Sequence, residues 1–227
     1  MPKSWPRLET DGIGLPGRPW QHDRNFQCRP EVAMMRFALS LLLLVPVTPA
    51  WADADDDAAV EVFRGAFGQS CTSFAEDGSP IRPARRHDVK MPVTWGEPEQ
   101  VILWQFRCDQ GAYNSVDVFL LKTEYDGIRP VALARPEIKA EYVDPEDSES
   151  AVKAITVIGW GADATAINAG FDPATGMLTT HALWRGLGDA YSDGTWVLKN
   201  GGFVLVRYEV DASYDGEIAP QLKLAFP

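Results

Sequence analysis

Apolar positions in this chain follow two patterns: one unbroken run near the start, then many short runs separated by turn residues. The unbroken run is Phe37 to Val47, preceded by Met34-Met35-Arg36 and followed by Pro49-Ala50-Trp51-Ala52. A positive residue, a short apolar core and a small-x-small end predict a secretory signal peptide over 34–52, cut after Ala52. The core is far shorter than the roughly 20 residues of a membrane helix, so no membrane span is expected. The first cysteine past the cut is Cys71, too distant for a lipid anchor. Residues 1–33, with Pro2, Pro6, Pro16, Pro19 and Pro30 and no apolar periodicity, read as an upstream non-structural segment. Translation is then expected to start at Met34 or Met35.

Past the cut the pattern changes twice. Residues 53–57 read as a mobile acidic lead, and Ala59, Val62, Phe63 and Ala66 predict a short amphipathic helix from Ala58 to Phe67. From Gly78 the chain takes on loop chemistry, with Pro80 and Pro83 framing a basic cluster of Arg82, Arg85, Arg86, His87 and Lys90 in an exposed extended loop. Beyond it, β-branched and aromatic runs predict strands over Val101–Arg107, Val116–Lys122, Arg129–Ala134, Ile138–Val143, Lys153–Gly159, Met177–Trp184, Thr195–Lys199, Phe203–Val210 and Gln221–Phe226. Glu124-Tyr125-Asp126-Gly127, Asp172-Pro173-Ala174-Thr175-Gly176 and Lys199-Asn200-Gly201-Gly202 read as turns between them. The expected fold is mainly β: a single domain over 58–227, an antiparallel small barrel or sandwich with one short N-terminal helix.

Charge narrows the partners. Residues 1–52 hold six Lys/Arg and four Asp/Glu, so cleavage takes the formal net charge from −11 to −13. Such a surface repels phosphate backbones and anionic lipid, which excludes nucleic acid as an expected partner and leaves cationic partners or metal ions open. The same cut removes Cys28 and leaves Cys71 and Cys108, which an oxidising compartment pairs as a disulfide.

Candidate chemistry is sparse. His87 and His181 are the histidines of the mature chain, no Gly-x-Ser-x-Gly elbow occurs, and the ligand spacing of a zinc site is absent. Asp211, Ser213, Asp215 and Gly216 have the opening spacing of a calcium loop, but Leu222 stands where its closing glutamate belongs. A looser calcium site would use Asp211, Asp215 and Glu217. Arg185 and Asp189, flanking Gly186 and Gly188, either present side chains to a ligand or pin two strands through an ion pair. Trp95, Trp104, Trp160, Trp184 and Trp196 either line a sugar groove or fill the core.

The most distinctive strings are Cys108-Asp109-Gln110-Gly111-Ala112-Tyr113-Asn114, Trp184-Arg185-Gly186-Leu187-Gly188-Asp189, Gly194-Thr195-Trp196 and Phe203-Val204-Leu205-Val206. Together they resemble a bacterial family of exported proteins catalogued as domain of unknown function eleven-seventy-six, over roughly residue 95 to the C-terminus. The common pattern of that family adds a cysteine after Gly-x-Gly-Asp and another near the end. This chain has Ala190 at the first place and Ser213-Tyr214-Asp215-Gly216 around the second, as the loss of one disulfide would leave it. The resemblance supports Cys71–Cys108 as the remaining bridge and implies no reaction.

The functional expectation is an exported periplasmic binding or interaction module acting on an envelope protein or glycan, with Tyr113, Asn114, Arg185 and Asp189 as candidate contact residues. An envelope hydrolase using carboxylates, with Asp189 first among them, and a calcium-stabilised protein are the alternatives.

Overall fold

The computed structural model describes residues 54–147 and 149–226. The expected signal peptide over 34–52, the segment before it and Asp53 lie outside the described residues.

Among the described residues one helix and twelve strands follow one another: α1 (Ala54–Phe67), β1 (Arg85–Met91), β2 (Glu99–Gln110), β3 (Ser115–Thr123), β4 (Gly127–Pro130), β5 (Leu133–Tyr142), β6 (Val152–Asp163), β7 (Thr165–Ile167), β8 (Gly170–Asp172), β9 (Met177–Leu183), β10 (Tyr191–Lys199), β11 (Gly202–Asp211) and β12 (Gln221–Ala225). Every strand pairing is antiparallel. A first sheet runs β1-β2-β3-β4 with β7 also on β3, a second runs β12-β11-β10-β9-β8, and β5 and β6 form a separate ribbon. The sheets stay open, so of the two expected architectures the closed barrel is not formed. Each sheet is hydrophobic on its inner side and the two share one core, which removes the need for closure.

Alternation in the central strands explains the layering. Val101 and Leu103 of β2 and Phe119 and Leu121 of β3 join Leu198, Phe203, Leu205 and Val210 of the second sheet in the larger core. The intervening Trp104, Phe106, Val118 and Leu120 face the other way, onto Ala59, Phe63 and Phe67 of α1. A strand buried on both faces reads as a continuous apolar run, and β2 and β3 do. Phe63 anchors the helix, stacking on Phe106 and Phe74 at 4.4 and 4.6 Å between ring centroids.

Three expectations about the N-terminal half need correction. The helix begins at Ala54, so four of the five residues of the acidic lead are its first turn. Three aspartates there favour the positive end of the helix dipole. The turn is also tied to the first sheet: Trp104 Nε1 donates to Asp56 at 2.7 Å and Lys122 Nζ meets both Asp55 oxygens at 2.6 Å. The basic cluster is not a loop; Arg85 to Met91 is an edge strand paired residue by residue with β2. Its His87 is half-buried, edge-on to Phe171, instead of solvated. Burial away from hydrogen-bond partners, and then the neighbouring Arg85 charge, push its pKa down. Arg129–Ala134 is two strands, because the chain leaves β4 after Pro130 and enters β5 at Leu133.

Cys71 and Cys108 form the expected disulfide, across a sequence separation of 37. In the chain-entropy account a loop of this size contributes about 4 kcal/mol. Cys108 occupies a bulge where the β2–β3 register shifts, and its carbonyl accepts from the amides of Thr72 and Ser73. The expected turns form as well: Asn200 and Gly201 take positive φ of 51° and 80°, the two-residue hairpin geometry that joins β10 to β11. No helix among the described residues is long and apolar enough to cross a membrane.

Candidate functional site

The four residues singled out as contacts fall at one junction, where the loop after β2 meets the loop after β9. Asn114 Nδ2 donates to Leu183 O at 2.8 Å, and its Oδ1 accepts from Leu183 N at 3.2 Å and from Asn168 Nδ2 at 2.8 Å. Asn114 thus pairs with a backbone edge as another strand would. Asn168, at a positive φ of 46°, continues the tie through Ser115 N and His181 O. Tyr113 lies next to Gly186, where a Cβ would be in ordinary contact with its ring.

Arg185 and Asp189 close the same junction from its other side. Arg185 donates to both carboxylate oxygens of Asp189 and, at 2.6 Å, to Tyr214 O, while its guanidinium lies over the Tyr214 ring. Asp189 also accepts from Gly216 N at 2.8 Å, and only 3% of its side chain is exposed. The Arg185 hydrogen bonds hold its carboxyl well below the usual range, against burial, which acts in the other direction. A carboxylate so engaged is a loop clasp with no proton to give at neutral pH, and the hydrolase role expected of it lacks a free oxygen.

The remaining marked string has an equally local reason. A Cβ at Gly194 would collide with the six-membered ring of Trp196, so the glycine makes the space in which the indole lies. Trp196 is buried and donates from Nε1 to Ala134 O at 3.0 Å, joining the second sheet to the ribbon.

Asp211, Asp215 and Glu217 do not gather into a cation cage. Asp211 accepts from Ser213 N, Ser213 Oγ and Ala219 N, and Asp215 accepts from Ser213 Oγ and Glu217 N. The backbone of the loop thus supplies the positive ends these oxygens seek. Among the described residues no three His, Cys, Asp or Glu side chains stand close enough to hold a metal.

Unengaged chemistry lies elsewhere, in a groove of about 680 Å³ at one end of the first sheet. The β1–β2 loop carries Trp95 and Glu97 into it, and the β3–β4 turn carries Glu124 and Tyr125. Trp95 is 89% exposed and Tyr125 84%, while Val93, Pro98 and Ile102 supply apolar lining between them. Sequence reading had Trp95 as one of five possible groove tryptophans and Tyr125 as a turn residue, with nothing to join them.

The β10–β11 turn supports both walls. Asn200 Oδ1 accepts from Thr94 N at 2.7 Å and from Thr94 Oγ1 at 3.0 Å, and Asn200 N donates to Pro92 O at 3.0 Å, which fixes the loop next to Trp95. On the other side Arg129 donates to Gly201 O and pairs at 3.4 Å with Asp126, the neighbour of Tyr125. Two exposed rings are therefore held by anchored backbone on both sides.

The charge of the groove is one-sided. Asp88, Glu97, Glu99 and Glu124 line it, and its lysine, Lys122, is neutralised by Asp55. Glu99 accepts from Glu124 N at 2.6 Å and Asp88 pairs with Arg86. Among the described residues, the carboxylates of Glu97 and Glu124 meet no ion-pair or hydrogen-bond partner.

A smaller cleft on the outer face of the second sheet holds His181, whose Nδ1 lies 2.6 Å from Asp193, beside Arg207 and Glu209. Arg207 is itself paired to both oxygens of Glu209, so these four side chains satisfy one another.

Comparison with known proteins gives a single family. The family model described as Protein of unknown function (DUF1176) matches residues 98–221, which contain the junction and one wall of the groove. No curated protein and no solved structure matches the chain.

Proposed function

This chain belongs to the DUF1176 family of proteins of unknown function, and from that premise we propose that it is an exported binding module that seats its partner between Trp95 and Tyr125. The observation that carries this reading is the pair of rings left almost wholly in water on anchored backbone, across an apolar-lined groove. Large aromatics cost free energy when held in water, and exposed ones on anchored backbone are what contact surfaces use. The groove lies within the roughly 300–1,000 Å³ span of ligand clefts.

Export rests on residues 34–52, whose charged start, apolar core and Ala50-Trp51-Ala52 end support periplasmic delivery with cleavage after Ala52. Protein recovered from the envelope should begin at Asp53; recovery of an uncut chain from the cytoplasm would refute export. The disulfide suits that compartment.

Binding is tested by passing envelope extract over the immobilised protein and over a W95A/Y125A variant of equal melting temperature. A component held by the first and released by the second supports the module reading. Equal retention by both, or retention by neither, counts against it.

A further inference from the structure

The chemistry of the groove narrows the partner. We propose that it takes an extended, positively charged polypeptide segment, bearing arginine or lysine, from a partner protein; this rests on the binding reading above. Three features select that occupant together. The exposed faces of Trp95 and Tyr125 attract cations through their ring quadrupoles, most strongly for a flat guanidinium. Glu97 and Glu124, without partners among the described residues, offer acceptors from the same two turns that carry the rings. Val93, Pro98 and Ile102 suit the methylene stems on which arginine and lysine carry their charge.

The same features disfavour other ligands. A phosphate or a carboxylated sugar would meet four carboxylates and a lysine already neutralised by Asp55. A neutral sugar could use the rings but would leave Glu97 and Glu124 uncompensated. The net charge of −13 beyond residue 52 adds long-range attraction for a basic segment, so its capture should weaken as salt rises.

Calorimetric titration of the purified protein decides the matter with three probes: a capped peptide alternating arginine and glycine, the same peptide with neutral citrulline for arginine, and chitotetraose. The arginine peptide should bind, and the citrulline peptide should bind at least about tenfold more weakly. E97Q/E124Q should weaken the arginine peptide by about tenfold, and W95A by about fivefold, with melting temperatures unchanged. Equal affinity for the two peptides, or arginine-peptide binding that neither variant alters, overturns the inference. Chitotetraose binding that W95A abolishes, with no peptide binding, overturns it too but leaves the groove as a binding site. If no probe binds, the cationic-segment inference falls, while the groove reading falls only with the envelope-extract comparison.

Discussion

The Asn114–Asp189 junction and the Trp95–Tyr125 groove are both assembled from loops that meet across the molecule, and they differ in how their polar groups are satisfied. At the junction Asn114, Asn168, Arg185 and Asp189 find their partners within the chain. In the groove two rings face water and two carboxylates lack partners among the described residues. Buried polar groups need internal partners, so a saturated cluster is what a fold requires of itself. Exposed, unengaged groups on fixed backbone contribute little to folding and remain available for contact. The strings that make this sequence recognisable therefore describe how the chain holds together, and the residues proposed to meet a partner stand partly outside them.

Substitutions should separate the two regions by their effect on stability. The largest loss is expected from Gly194→Ala, where a new Cβ must displace the Trp196 indole; overpacking of this severity costs about 3 kcal/mol, measured by urea unfolding. Asn114→Ala removes a side chain that both donates to and accepts from the Leu183 backbone, and should cost about 2 kcal/mol by the same measurement. Asp189 should reveal itself through pH. Its folded pKa lies below the unfolded value of about 3.9, so its contribution is present above that value and is lost as pH falls toward the folded pKa. Thermal melts from pH 6 down to about pH 2 should therefore show a steeper acid loss in the wild type than in Asp189→Asn, and parallel curves would remove the clasp from the account. The smallest effect belongs to the groove: W95A/Y125A should change stability by less than about 0.5 kcal/mol. A loss as large as that of Asn114→Ala would mean that the groove, too, is structural.

Which parts of this were readable in advance follows from how far each contact reaches. Strands β2, β3 and β9 to β12 announce themselves because their apolar residues alternate or run on within a few positions. Strand β1 does not: Arg86, Asp88 and Lys90 form its outer face, and Val89 and Met91 are its fully buried apolar residues. Strands β7 and β8, of three residues each, are below the length at which alternation is visible. The first turn of α1 holds no large apolar side chain to mark it, and its partners Trp104 and Lys122 are 48 and 67 residues away. The same limit governs the sites. Sequence singled out Tyr113, Asn114, Arg185 and Asp189, and the structure brings them to one junction, but a motif marks residues without showing whether they face a partner or one another. Trp95 and Tyr125 become a pair only through Asn200 and Gly201, whose contacts span 106 and 72 residues.

That hairpin turn has a mechanical meaning. Asn200 and Gly201 belong to the second sheet, while both walls of the groove belong to the first, so the turn acts as a wedge between two jaws. Both ring-bearing loops thus take their backbone support from the opposite sheet. Loosening the turn should therefore disturb the loop beside Trp95 and the turn beside Tyr125 together.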